Sequence, residues 1–547
     1  MIAKILENLC NEIKSILKEM GVVNEVDVLF EIPKEESFGD YSTNVAMRLA
    51  KELHKAPFMI ANDLISKLDL NKLHLEKCEV AGAGFINFFL DKKYLTNVVF
   101  KILEEKDNFA SSNIGNNEKY LLEYVSANPT GFLHVGHCRG AAYGDSLARI
   151  MKKAGFIVSR EHYVNDAGNQ IHNMTESVWE RYKELFGLPC ELKDDYYHGK
   201  EIIEIAQMIK DDKNDFYLNN PYYDDFRKIG LEFLLGRLKK DLKDFNVEFD
   251  TWFSEKSLYD SGSVQETLAY LKDNGYTYEQ EGALWLKTTE YGDEKDRVLV
   301  KSDKTLTYMT PDISYHRNKL SRGYDHLVDV FGADHHGYIA RLKAAIAFVG
   351  GNPDLLDVEI LQMVRVLQDG EEVKMSKRSG KAITMRDLID EVGSDALRYM
   401  FSSKALSTHM DLDLDLLKKN TNENPVYYVQ YAYARISSLF RVLEDNKQEF
   451  KEVKEFKKIN FDSAYKLVKV LLQYPAYVED AATKRLPHKM SQYCQLLATQ
   501  LHAFYNDEKI ISDDMELTNE KLTLLKAVQI VLKDSLGLLG VNVKERM

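Results

Sequence analysis

Residues Ala127–His137 read ANPTGFLHVGH, and what stands on either side of them decides the fold. Before the stretch, Tyr120–Val125 is an apolar run with strand character; after it, Cys138–Lys153 places apolar residues at helical spacing. Strand, tight loop and helix in that order aim the free amides of a helix start at a phosphate. Working outward, the chain from Tyr120 to about Thr408 alternates strand-like and helix-like segments, which predicts a parallel α/β sheet. A charged, helix-forming stretch, about 166–298, reads as an insertion into that sheet domain, here bounded as 109–415. Residues 1–108 mix helices and short strands and end in the loop ASSNIGNNEK. Beyond DLDLDLL the pattern is helical, which predicts an all-α bundle over 416–547.

A second phosphate-handling segment stands far downstream: KMSKR, Lys374–Arg378, between Gly370 and Gly380. A histidine pair or a lysine string alone is weak, since the first is ordinarily packing and the second recurs in lysine-rich chains. Together and in this order they point to adenylation, in which a carboxylate attacks the α-phosphate of ATP and pyrophosphate departs. The nucleophile is already ionised, so the site needs hydrogen-bond donors rather than a general base. His134 and His137, three apart, can share one face of the helix's opening turn, where the dipole also favours anions. Gly136 between them lets a flat adenine approach the backbone. Lys374 and Lys377 carry charge to the phosphates, and Lys377 takes the largest part in stabilising the leaving pyrophosphate.

With these strings the chain resembles the class I aminoacyl-tRNA synthetases, specifically the bacterial type of arginyl-tRNA synthetase. HVGH and KMSKR are similar to that class's two signatures, usually HIGH and KMSKS; Arg378 replaces the usual Ser. FGDYSTNVAM (Phe38–Met47) and GFINFFL (Gly84–Leu90) resemble the family's N-terminal domain. EYVSANPTG, TPDISYH (Thr310–His316), GADHHGY (Gly332–Tyr338), DALRYMF (Asp395–Phe401) and NPVYYVQYAYARI (Asn424–Ile436) carry the likeness on to the end of the chain. The resemblance implies a Rossmann-like catalytic domain that ligates L-arginine to tRNA(Arg) through arginyl-adenylate, with tRNA bound before activation. It implies ATP contacts from Thr130, Gly131, His134, Gly136, His137, Gly332, Asp334, Lys374, Met375, Ser376 and Lys377. For arginine it implies Glu123, Ser126 and Asn128 at the amine and carboxylate end, and Tyr308 and Asp312 on the side chain. His137, Asp334 and His335 are further pocket candidates. A guanidinium asks for such carboxylates, because a planar fork is best met by paired acceptors. Asp312, after Pro311, is also placed to cap a helix.

The resemblance assigns tRNA contacts to Phe38, Tyr41 and Asn44 in the N-terminal domain and to the helical bundle. In the bundle, Asn424 can cap a helix opened by Pro425, which puts Tyr427, Tyr431 and Arg435 on one stripe. That stripe suits either stacking on RNA or packing between domains, with Tyr431 and Arg435 outermost. A net charge of −14 does not forbid a nucleic-acid partner, since the local field decides. Lys418, Lys419, the run Lys451–Lys458 and the run Lys484–Lys489 are basic candidates, each equally a solvated face.

A 547-residue chain that is 45% hydrophobic and 29% charged is an ordinary globular protein of several domains. No apolar run is long enough to cross a membrane, and the first twenty residues read as an amphipathic helix rather than a signal peptide, so the cytoplasm is expected. Five scattered cysteines without a CxxC pair predict no structural zinc and no disulfides. His335 and His336, if on a strand, would face opposite ways and not share an ion. Mg2+ is expected with ATP, held by phosphate oxygens and water. No editing domain is visible, and the family resemblance favours a monomer. Two rivals remain: a ligase for a free acid on the same nucleotide fold, which leaves the bundle unexplained, and a silent RNA-binding relative, which would be expected to have lost part of the His134, His137 and Lys377 set.

Overall fold

The computed structural model describes residues 2–373 and 383–547, without the side chains of Ala3, Glu36 and residues 334–336. The first helix, Ile2–Glu19, buries Ile5, Leu9, Ile13, Ile16 and Leu17 along one stripe. It packs with helix Pro57–Lys67 beside an antiparallel sheet of Tyr41–Thr43, Phe85–Leu90 and Leu75–Ala81, in which GFINFFL supplies the central strand.

The catalytic region is built on five parallel strands in the order Leu356–Leu361, His326–Gly332, Lys119–Glu123, Ile157–Val164, Thr251–Ser254. Tyr120–Glu123 is buried without alternation, as in a strand covered on both faces. The strand order reverses between Lys119–Glu123 and His326–Gly332, and the crevice at their carboxyl ends is where such sheets bind ligands. Helix Val135–Lys153 lies on the sheet at that point. It lies close because Gly144 has no side chain: a Cβ there would meet the Tyr124 ring at 2.2 Å.

The expected insertion at 166–298 is not continuous. Helices Gly168–Glu184, Lys200–Lys213 and Tyr223–Asp244 form a unit with its own core, including Ile171, Val178, Tyr182, Ile205 and Phe226. The chain then returns to the main sheet with Thr251–Ser254 before a second excursion, helix Ser263–Asp273 and the antiparallel strands Thr277–Gln280, Ala283–Leu286 and Arg297–Val300. Four residues of strand are too few to show a period in sequence.

The bundle consists of Pro425–Asp445, Asp462–Thr483, His488–Asp507 and Met515–Leu538. Asn424 caps the first through Oδ1, which accepts from Val426 N and Tyr427 N. The run Lys451–Lys458 is irregular rather than helical; the Glu520 carboxylate, 1% exposed, gathers the backbone N–H groups of Lys457, Lys458 and Ile459. The basic candidates are met by acids: Lys418 by Glu391, Lys419 by Glu423, Lys458 by Asp514 and Glu516, and Lys484 and Lys489 by Asp480. Arg398, of DALRYMF, joins the parts: fully buried, it pairs with Asp145 of the signature helix at 2.6 Å. It also donates to the carbonyls of Leu539 at 2.8 Å and Asn246 at 3.0 Å.

Candidate active site

Strand Lys119–Glu123 ends in a backbone bend that few residues adopt: Val125 and Ser126 have φ of 70° and 37°. Two side chains hold it. Ser126 Oγ donates to Glu123 Oε1 at 2.8 Å and accepts from Tyr163 N at 3.1 Å. Glu123 Oε2 in turn accepts from Lys319 Nζ at 2.5 Å and lies 2.9 Å from the Tyr315 hydroxyl. Lys319, with no exposed surface, also donates to Asp329 at 2.7 Å, and His316 Nε2 lies 3.2 Å from the same carboxylate. Burial works against the charge on Asp329, yet Lys319 and His316 bring its carboxyl down to about 2. Glu123 and Ser126, expected at the amino acid's amine and carboxylate end, are thus engaged with each other, with Tyr163 N and with Lys319 and Tyr315 of helix Met309–Ser321. Asn128 stands exposed on the cleft.

His134 is the N-cap of helix Val135–Lys153 and His137 its third residue, and the two cap each other. Gly136 N donates to Nδ1 of His134 at 3.2 Å, and His134 N donates to Nδ1 of His137 at 3.1 Å. A ring nitrogen that accepts a backbone N–H carries no proton, so each neutral imidazole has its proton on Nε2 and acts there as a donor. Gly136 makes room for this arrangement, since a Cβ would sit 3.1 Å from His134 Cε1.

Both histidines line a cleft of about 510 Å³ together with Ala127, Asn128, Thr130 and Gly131. Its other walls come from the insertion, through Asp194–Glu201, Arg237 and Asp241, and from Ile383–Asp387. Thr384 pairs with His134 in an isolated antiparallel bridge, and Met385 N donates to Leu133 O at 2.7 Å. The chain that follows Lys374, Met375, Ser376 and Lys377 is thus fastened to the first signature; those four lie outside the described residues. The insertion wall was not read from sequence, although DDYYHGK (Asp194–Lys200) carries an aromatic, imidazole, glycine and ammonium string between two helices that could have been singled out.

Two further acids, Asp312 and Glu255, lie near Tyr163 and Glu123. Asp312 does not cap its helix, Met309–Ser321; it sits inside the first turn and accepts a hydrogen bond from the Tyr338 hydroxyl. Burial raises its pKa. Glu255, missed in sequence because WFSE carries no recognised pattern, is 5% exposed and electrostatically coupled to Asp312. Burial, with the Asp312 charge adding to it, pushes Glu255 up to about 7, the nearby Tyr163 hydroxyl partly opposing. Glu255 is buried and Asp312 half-buried, with the Tyr163 and Tyr338 hydroxyls beside them; paired carboxylates are the acceptors that a planar cation asks for. Tyr308 stands 65% exposed where that helix begins. Gly332 ends its strand, and Asp334 and His335 fall in a 3-10 turn, Ala333–Tyr338, rather than on a strand.

Outside the cleft, Phe38 is exposed and Tyr41 and Asn44 are half-buried in the N-terminal unit. Tyr427 and Tyr431 stack at 5.9 Å, and Tyr431 stacks on His502 at the same distance. The Arg435 guanidinium lies 3.6 Å over the Tyr505 ring. The stripe is thus half-buried against helix His488–Asp507 instead of standing clear. Among the described residues there is no cluster of three or more metal-ligating side chains, and no helix is long and apolar enough to cross a membrane.

Residues 98–411 match the family described as tRNA synthetases class I (R), catalytic domain. Residues 7–90 match the arginyl tRNA synthetase N terminal domain and 429–547 the DALR anticodon binding domain. The arginine--tRNA ligase of Geobacillus kaustophilus is 47% identical, with all of both chains covered. That of Bacillus subtilis is also 47% identical, with 98% of each covered. A provisionally assigned arginyl-tRNA synthetase from Campylobacter jejuni superposes with a TM-score of 0.78 at 36% identity, covering 84% of this chain and 100% of its own.

Proposed function

The chain belongs to the arginyl-tRNA synthetase family of class I aminoacyl-tRNA synthetases, and from that premise we propose how its residues divide the work. The enzyme charges tRNA with arginine, at the expense of ATP, for translation. The reading rests above all on one observation: two imidazoles fixed as Nε2–H donors at a helix start, in the cleft at the sheet's switch point.

In the first step the arginine carboxylate oxygen bonds to the α-phosphorus of ATP while the bond to the bridging oxygen breaks and pyrophosphate leaves. His134 and His137 donate to the phosphoryl oxygens, helped by the helix dipole, and Lys377 stabilises the departing charge. Thr130, Gly131, Gly136, Gly332, Asp334, Lys374, Met375 and Ser376 complete the ATP site. Mg2+ would arrive on the triphosphate, held by its oxygens and water. Asp312 and Glu255 accept the guanidinium, with Tyr308 beside it; Asn128 serves the amino acid's other end, and His137, Asp334 and His335 are further candidates for the pocket. Glu123 and Ser126 act through the loop they hold. In the second step the 2′-hydroxyl of the tRNA's terminal adenosine attacks the activated carbonyl and AMP leaves.

Tyr427, Tyr431, Arg435, Phe38, Tyr41 and Asn44 would contact the tRNA. The division at 1–108, 109–415 and 416–547, a monomeric state and a cytoplasmic location belong to the same proposal. The test is to charge total tRNA with each labelled amino acid in turn: arginine alone is expected, and any other preferred acid overturns the reading. Appreciable ATP–pyrophosphate exchange with arginine but no tRNA would remove the further expectation that tRNA binds first.

A further inference from the structure

The insertion supplies the cleft with cations that neither signature segment contains. Lys200 begins helix Lys200–Lys213, and Arg237 reaches in from helix Tyr223–Asp244. The Arg237 guanidinium carbon lies 5.3 Å from the centroid of Phe132, a residue of the first signature loop. Its neighbouring acid is Asp241, one turn along the same helix, 3.8 Å away and 2% exposed. That carboxylate is engaged more closely elsewhere: Oδ1 of Asp241 accepts from Arg386 at 2.9 and 3.1 Å. Arg386 has Asp244 and Asp390 as further partners.

The two arginines of the cleft are therefore unlike. Arg386 is surrounded by carboxylates and its charge is spent. Arg237 is steadied by a ring on one side and a shared acid at longer range, with its side chain 40% exposed at the cleft wall, so its fork is less engaged than that of Arg386. Asp194, Glu201 and Asp387 also line the cleft, so it is the fork of Arg237 itself, not the net charge of the lining, that would grip a phosphate.

We propose that Arg237 contacts the phosphate chain of ATP during activation and that Asp241 is the positioning residue that sets its place. The guanidinium fork meets two phosphoryl oxygens on the side of the cleft facing the histidines, and its interaction strengthens as charge gathers on the departing pyrophosphate. The stack on Phe132 ties the fork to the same loop that carries His134. This inference rests on the reading of the cleft as the ATP site.

The experiment measures arginine-dependent ATP–pyrophosphate exchange with tRNA(Arg) present, and separately the transfer of arginine to tRNA from synthetic arginyl-adenylate. Arg237→Gln is expected to raise KM for ATP about tenfold or more and slow exchange, with transfer within about twofold of the native rate; Arg237→Lys should recover part of the loss. Asp241→Asn should move KM for ATP in the same direction by less. Unchanged exchange in Arg237→Gln overturns the proposal, as does a slowed transfer with KM for ATP unmoved, which would make tRNA phosphates the ligand. If Arg237→Gln gives no cooperative unfolding transition, Arg237→Lys decides alone: a threefold rise in KM for ATP supports the role, and no rise overturns it. His134→Ala and His137→Ala separate the two levels. Should these leave exchange intact, the cleft is not the ATP site; should they abolish it while Arg237→Gln does not, only the role of Arg237 falls.

Discussion

Thr384 and His134 are each the N-cap of a helix, and their backbones pair as an antiparallel bridge across one side of the cleft. The second signature therefore re-enters the described fold directly on the first, seven residues after Lys377. This anchor supports the proposal that a cation from the one segment and imidazoles from the other act on one triphosphate. Lys377→Ala is expected to reduce arginine-dependent pyrophosphate exchange by roughly 10²–10³-fold, the scale of losing one preorganised contact to developing charge. Binding of tRNA, followed by filter retention, should stay within about twofold; an equal loss of both would mean misfolding instead.

The reciprocal cap makes His137 both a donor and a structural part. Replacement by Ala removes its Nε2–H and leaves His134 N without its acceptor, so exchange should fall by about 10²-fold and stability by about 1 kcal/mol. His137→Asn separates the two effects, because its amide oxygen can accept from His134 N while its nitrogen still donates outward. Thermal unfolding of the Asn variant should lie closer to native than its activity does; the reverse order would make the residue a cap and nothing more.

The acids proposed to bind arginine, Glu255 and Asp312, give a pH signature. Glu255 has its pKa raised to about 7, so in the empty enzyme it takes up a proton as pH falls through neutrality. A guanidinium needs the ionised form, and binding must release that proton. KM for arginine should therefore rise as pH drops below about 7, up to tenfold per unit, while KM for ATP changes little. Glu255→Gln should weaken arginine binding at every pH and flatten the profile. A native profile already flat between pH 6 and 8 would remove Glu255 from the pocket.

The signatures and the order of domains were legible because they are local: glycines, prolines and a histidine pair keep their spacing whatever surrounds them. Asn424 as a cap before Pro425 was readable for the same reason. Glu255 and the insertion wall were not, since they reach the site only through long-range packing, and a four-residue strand such as Thr251–Ser254 carries no period of its own. Asp312 shows the converse failure. Its TPD setting suggests a cap, yet the helix begins at Met309 and the carboxylate turns to Tyr338. The family resemblance offered Glu123 and Ser126 as ligands of the amino acid; their contacts to Lys319, Tyr315 and Tyr163, remote in sequence, appear only in three dimensions.

That support has an acid limit. Asp329 is held at about 2, against an ordinary value near 3.9, by Lys319 and His316 acting against its burial. The folded state thus carries fewer protons than the unfolded chain between those values, and the sign follows: the contribution is fully present above about pH 4 and is lost as pH falls through about 2. Lys319→Met removes the cation that Glu123 and Asp329 share, leaving Asp329 with His316 and Glu123 with the Ser126 and Tyr315 hydroxyls, and should cost about 3–5 kcal/mol at neutral pH, with exchange impaired because the carboxylate that holds Ser126 is less firmly anchored. In that variant Asp329 should titrate higher, so urea unfolding should show stability rising, not falling, as pH is lowered from 6 to 4 relative to the native enzyme. A parallel decline of the two proteins over that range would show that Lys319 does not set the charge of the network under the loop.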